Sequence, residues 1–94
     1  AREAYERASE ATGVPVDMLT SGCRDARTAR ARFIVMRLLR NQYASYPQIG
    51  RAMELDHTTV MHGIERFDWL MGQSPEFAAL AIEAGAVRGE CKHR

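Results

Sequence analysis

The 94-residue sequence predicts an all-α fold, a small helical bundle that contains a helix-turn-helix. Three observations carry that expectation. Apolar residues recur at helical spacing, as in Val60, Ile64, Phe67 and Met71. Start and stop signals punctuate the chain at the right intervals: Ser45 and Ser74 as caps, Gly13 and Gly85 as stops. Finally, a short helix candidate runs through a very tight turn into a second helix that begins with polar residues. A hydrophobic content of 46% suits one compact domain over residues 1–94, with a core at 14–70, flanking helices within 1–13 and 74–86, and a frayed tail at 87–94.

Taken in order, residues 1–12 are good helix formers that end at Gly13, with Val14 and Pro15 beyond. Val16, Met18 and Leu19 form a short turn that packs inward. A second helix spans roughly Asp25 to Gln42. At about 100° per residue Ile34, Val35, Leu38 and Leu39 share a core side, while Arg30, Arg37 and Arg40 share a basic side together with Phe33, an odd place for a bare aromatic. A third helix starts at the Ser45 cap, with Pro47 in its first turn and Gln48 placed to complete a capping box, and ends by Met53. Its inward residues are expected to be Ile49, Ala52 and Met53, with Gly50 allowing a close crossing. Only Glu54 and Leu55 then precede Asp56, and a helix follows from His57 to Met71 in which Thr58, Thr59, His62, Glu65, Arg66 and Trp69 point away from the core stripe. A last helix from Pro75 to about Ala84 packs through Phe77, Leu80, Ala81 and Ala84.

Charge is segregated along this framework. Residues 20–53 carry seven arginines (Arg24, Arg27, Arg30, Arg32, Arg37, Arg40, Arg51) against Asp25, a net +6, whereas residues 1–19 and 54–94 net −2 and −3. Solvated helix faces usually mix signs; an unmixed arginine block is a footprint for a polyanion.

The stretch from Asp56 to Phe67, DHTTVMHGIERF, opens a helix with four polar side chains. Asp56 suits an N-cap and complements the helix dipole. His57, Thr58 and Thr59 add little to helix stability, so a partner outside the helix is expected to use them. In a helix-turn-helix that turn enters the major groove, where threonine meets thymine methyls and polar base edges.

These residues resemble the signature of the C-terminal DNA-binding domain of the bacterial replication initiator DnaA, whose recognition helix opens with aspartate, histidine, two threonines and valine. The likeness reaches back through SYPQIGRAM, similar to the family's short third helix, to RTARARFIVMRLL, similar to its basic second helix, and covers roughly Val14 to Leu70. It implies a helical bundle of the Trp-repressor group that binds double-stranded DNA. It further implies that Arg24 enters the minor groove, that Arg32 reads a base, and that His57, Thr58 and Thr59 read the major groove. Arg27, Arg30, Arg37, Arg40 and Arg51 are the expected phosphate contacts, and Phe33, Gln48, His62 and Arg66 complete the expected DNA-facing set. Two departures stand out. Met53, Glu54 and Leu55 replace the family's usual glycine pair and arginine with one residue fewer, and Phe33 stands where glutamine is common.

Other classes are weaker. Without GxxxxGK or room for a nucleotide-binding domain the chain is not expected to be an ATPase, so a free-standing or excised DNA-binding domain acting in replication or transcription is the favoured reading. No enzyme is expected: Asp56 and His57 are neighbours on one turn, and Cys91, Lys92 and His93 sit in the tail. No cofactor is called for, and Cys91, His93 and His62 lack zinc-site spacing; Cys23 and Cys91, without CxxC, are expected as reduced thiols. No apolar run spans a bilayer and residues 1–10 are not signal-like, so the expected location is cytoplasmic, at the nucleoid, with no membrane partner. The alternative is an adaptor that keeps the fold and binds the initiator or transcription machinery through Phe33, Trp69 and the acidic C-terminal third. The outermost helices are the expected surface for a homodimer or for a replication or transcription partner.

Overall fold

A computed structural model describes residues 2–21 and 25–87. Six helices follow one another: α1 (Arg2–Thr12), α2 (Val16–Thr20), α3 (Ala26–Asn41), α4 (Tyr46–Met53), α5 (His57–Gln73) and α6 (Pro75–Ala84). The Ser45 and Ser74 caps act where the sequence places them. Ser45 Oγ accepts from the Gln48 backbone N–H at 3.2 Å while Gln48 Oε1 accepts from the Ser45 N–H at 2.8 Å, a complete capping box. Ser74 Oγ accepts from the Phe77 N–H at 3.1 Å and starts α6. Gly13 and Gly85 end α1 and α6 at φ 77° and 88°, where a side chain would be strained.

Helix α3 is the axle of the bundle and packs against each of the other five helices. The expected division of α3 holds: Ile34, Val35, Leu38 and Leu39 are buried and Arg30 and Arg40 exposed, while buried Thr28, Ala31 and Met36 widen the core side to a little over half of the helix. Met36 and half-buried Phe33 face α5, which closes over them at Gly63: a β-carbon there would stand 2.2 Å from Met36 Sδ and 3.4 Å from the Phe33 ring. Phe67 and Phe77 meet edge to face at 5.3 Å and join α5 to α6 in the core. Each of these fully buried large side chains contributes roughly 1.5–3 kcal/mol relative to exposure. Two smaller expectations also change: Ala52 is exposed while Gly50 is buried, and Leu70 lies deeper than Met71.

Candidate nucleic-acid interface

The geometry of the site begins at the joint between α4 and α5. The Leu55 N–H donates to the Gly50 carbonyl at 2.7 Å and the Glu54 N–H to the Arg51 carbonyl at 3.3 Å, the paired bonds of a Schellman ending. Such an ending needs one left-handed residue, and here it is Glu54 at φ 59°, ψ 44°. The turn folds so closely over α4 that a β-carbon on Gly50 would lie 2.6 Å from the Leu55 carbonyl oxygen. Gly50 and Glu54 together fix where α5 begins and which way its first turn points.

The cap expected of Asp56 does not form. Its carboxylate makes no bond to a backbone N–H of α5; instead it accepts from Thr58 Oγ1 at 3.4 Å and lies 3.8 Å from His57 Nδ1. The first turn of a 17-residue helix therefore presents uncapped N–H donors, with the His57, Thr58 and Thr59 side chains exposed beside them, at the positive end of the dipole. Val60, Gly63 and Ile64 are buried one turn later and hold that turn rigidly against the core.

The arginine block does not form one continuous face. Arg24 lies outside the described residues. Arg27 Nη2 donates to the Thr12 carbonyl at 3.2 Å and ties α3 to the end of α1. Arg32 is engaged at the end of α2, its Nε donating to the Leu19 carbonyl at 3.0 Å and its Nη2 to those of Met18 at 3.3 Å and of Ser21. The structure thus gives Arg32 a joint-holding position rather than a side chain extended into solvent. Arg37 is half-buried, 5.9 Å over the Phe67 ring, with its Nε buried and unpartnered. Arg40 stacks 4.5 Å over Tyr46 and donates to the Ala44 carbonyl at 2.9 Å. Arg30 and Arg51 are exposed, and their side chains make no hydrogen bond or ion pair among the described residues. Gln48 commits its carbonyl oxygen to the capping box, which leaves its amide N–H groups for outside acceptors.

Beside the first turn of α5 runs an open groove of about 570 Å³ lined by Phe33, Thr59, His62, Gly63, Glu65, Arg66 and Trp69. It brings Phe33, His62 and Arg66 together with Thr59 on one side of the molecule. Arg66 lies 5.3 Å over the Trp69 ring. Near Arg32 the phenol of Tyr5 is buried, and burial pushes it above its ordinary value; the Arg32 guanidinium pulls the other way and the Glu54 carboxylate adds to the rise. Sequence reasoning named Gly50 only as a close crossing and missed Glu54 as the left-handed residue. A signal was present in the very short connection, since helices that turn sharply at their end commonly do so on a left-handed residue. Among the described residues no group of three or more His, Cys, Asp or Glu is placed to hold a metal, and no helix is long and apolar enough to cross a membrane.

The chain is 36% identical over 78 residues to the chromosomal replication initiator protein DnaA of Gluconobacter oxydans (strain 621H), an alignment that takes in 81% of this chain. It spans only 16% of that protein's length. The family described as the bacterial dnaA protein helix-turn-helix matches residues 5–66, which takes in most of α1, all of α2 to α4 and the first ten residues of α5. The chain belongs to the bacterial DnaA helix-turn-helix family.

Proposed function

We propose that the protein binds double-stranded DNA sequence-specifically, with the first turn of α5 in the major groove and α4 lying across the phosphate backbone. The observation that carries this reading is the exposed first turn of α5, whose backbone N–H groups lack a side-chain cap and whose His57, Thr58 and Thr59 side chains reach no neighbouring group among the described residues beyond the exposed Asp56 carboxylate. Thr58 and Thr59 supply hydroxyls and methyls to base edges, and His57 a ring nitrogen to a base or phosphate acceptor. Arg30, Arg40, Arg51 and Arg66, all exposed, supply the phosphate contacts that set register, and half-buried Arg37 adds to the positive field. Arg32 acts as a positioning residue, because its guanidinium holds the α2–α3 joint. The likeness to a chromosomal replication initiator favours a role tied to replication, with transcriptional regulation as the other outcome.

Selection from a random duplex pool tests the reading and supplies the preferred site. Thr58→Ala and Thr59→Ala should each weaken binding to that site by about 1–3 kcal/mol and change binding to random duplex little. With four to six phosphate contacts the slope of log K against log salt should be about −4 to −5. Threonine variants that keep full discrimination and only melt earlier would make the turn structural.

A further inference from the structure

The first turn of α5 is only the beginning of its outer side. At about 100° per residue Thr58, Met61, His62 and Glu65 fall within one sector of about 100°, opposite the buried Val60, Gly63, Ile64, Phe67 and Leu70. All four are exposed. Their spacing of i, i+3, i+4 and i+7 is the one from which a helix lying along the major groove brings side chains to base edges. Met61 is 38% exposed, and its outward neighbours one turn to either side, His57, Thr58 and Glu65, are polar. It therefore belongs to no apolar patch of the kind that docks protein. Glu65 is the opposite case, an acid on the outer side of the helix that would meet a polyanion. Nothing in the fold neutralises it: Arg66, the adjacent cation, stacks 5.3 Å over Trp69, and the Glu65 carboxylate makes no hydrogen bond or ion pair among the described residues.

Such a carboxylate weakens binding to every duplex unless a base supplies a donor. In the major groove only cytosine N4 and adenine N6 donate, and adenine sets its N7 acceptor beside the amino group, where it opposes the second carboxylate oxygen. Cytosine presents no such acceptor. We propose that α5 lies along the major groove beyond its first turn, with Met61 against a thymine methyl and Glu65 accepting from a cytosine amino group. These two residues then extend the site that His57, Thr58 and Thr59 begin to read. At about 1.5 Å per residue Met61 stands about 4.5 Å and Glu65 about 10.5 Å along the helix from Thr58. On a duplex that rises about 3.4 Å per base pair, those are roughly one and three steps. The proposal rests on the duplex-binding reading and deepens it, since it assigns particular bases to particular side chains.

Sites are selected from a random duplex pool with the parent and with Thr58→Ala, Met61→Ala, Glu65→Ala and Glu65→Gln, and affinities are measured on the parent site and its single-base variants. Thr58→Ala marks the position that the first turn reads. Expected is a parent site with a G·C pair about three steps from that position, its cytosine preferred about fivefold or more over other bases. Glu65→Ala should erase this preference alone, whereas Glu65→Gln, whose amide matches adenine N6 and N7, should move it from cytosine to adenine. Met61→Ala should lose a severalfold preference for thymine about one step from the Thr58 position. These side chains are exposed, and unchanged melting curves confirm the fold of each variant. Glu65 variants that bind every duplex more tightly and select the parent site unchanged would leave Glu65 a charge near phosphates and overturn the proposal. So would a parent preference for an A·T pair at the Glu65 position, or Met61 and Glu65 variants that keep full parent discrimination, which would confine reading to the first turn. A parent that selects no site at all removes the sequence-specific duplex-binding reading, and this one with it, and that is seen before any variant is compared.

Discussion

Replacing Glu54 by glycine should make the protein more stable and its binding to duplex tighter. Glu54 holds φ 59° and ψ 44° at the end of α4, a left-handed conformation that costs a non-glycine residue about 1–2 kcal/mol. Its carboxylate makes no hydrogen bond or ion pair among the described residues, and the two bonds that close the turn, at 2.7 and 3.3 Å, are made by backbone atoms that glycine keeps. Against the relief stands glycine's greater freedom in the unfolded chain, about 0.4–1 kcal/mol. The net gain is about 0.5–1 kcal/mol, which for a domain of this size raises the melting temperature by about 2–8 °C. Loss of an acid beside the recognition turn should also strengthen binding on all sequences alike without altering the preferred site. A third readout is alkaline. Because Tyr5 is raised in the folded state, its stabilising contribution is complete below the ordinary phenol range, about pH 10, and is lost as pH rises through the folded value. Removing the Glu54 charge reduces that rise, so the variant should lose less stability above pH 10. Thermal melts followed by circular dichroism, repeated at pH 7 and 10.5, decide the matter. A Glu54→Gly protein that melts at or below the parent at pH 7 would refute the assignment of strain to this residue.

Gly50→Ala should behave oppositely, because a β-carbon would meet the Leu55 carbonyl at 2.6 Å and force the backbone of the turn to move. A loss of about 1–3 kcal/mol in denaturant unfolding, with weaker binding to the selected site, is expected. Thr28 is fully buried with an unpartnered hydroxyl, so Thr28→Val should be neutral or stabilising by up to about 1–2 kcal/mol; a clear loss of stability would show that the hydroxyl has a partner. Ser45→Ala should cost about 1 kcal/mol through its capping box, whereas Asp56→Ala, which removes no backbone bond, should cost less than about half of that. Side-by-side melts with equal losses would show that Asp56 caps α5 after all.

Helix positions were legible because they depend on local signals. Ser45 with Gln48 three residues on, Ser74 before Pro75, and glycines at 13 and 85 mark boundaries through hydrogen bonds made within one turn, and the structure keeps them. The core side of α3 was legible, but the covering of Met36 and the half-burial of Phe33 were not, because periodicity reports one apolar stripe and cannot show where a second helix will overlap its edge. Only tertiary packing reveals that Met36 and Phe33 meet Gly63 of α5, a residue 27 positions after Met36.

The site divides along the same line. The exposure of His57, Thr58 and Thr59 could be read because short side chains cannot reach far: they stay where their backbone puts them, and an exposed first turn of α5 leaves them facing outward. Arginine reaches much farther, so its sequence position says little about its acceptor. Arg27 and Arg32 lie within the same basic run as Arg30, yet one holds the end of α1, another the end of α2, and the third makes no bond among the described residues. A net charge of +6 over residues 20–53 therefore describes the field that draws a polyanion, while the carbonyls already occupied decide which arginines are left to hold it. On that reasoning the salt dependence of binding counts fewer cations than the sequence contains, and the difference is the number that the fold has taken for itself.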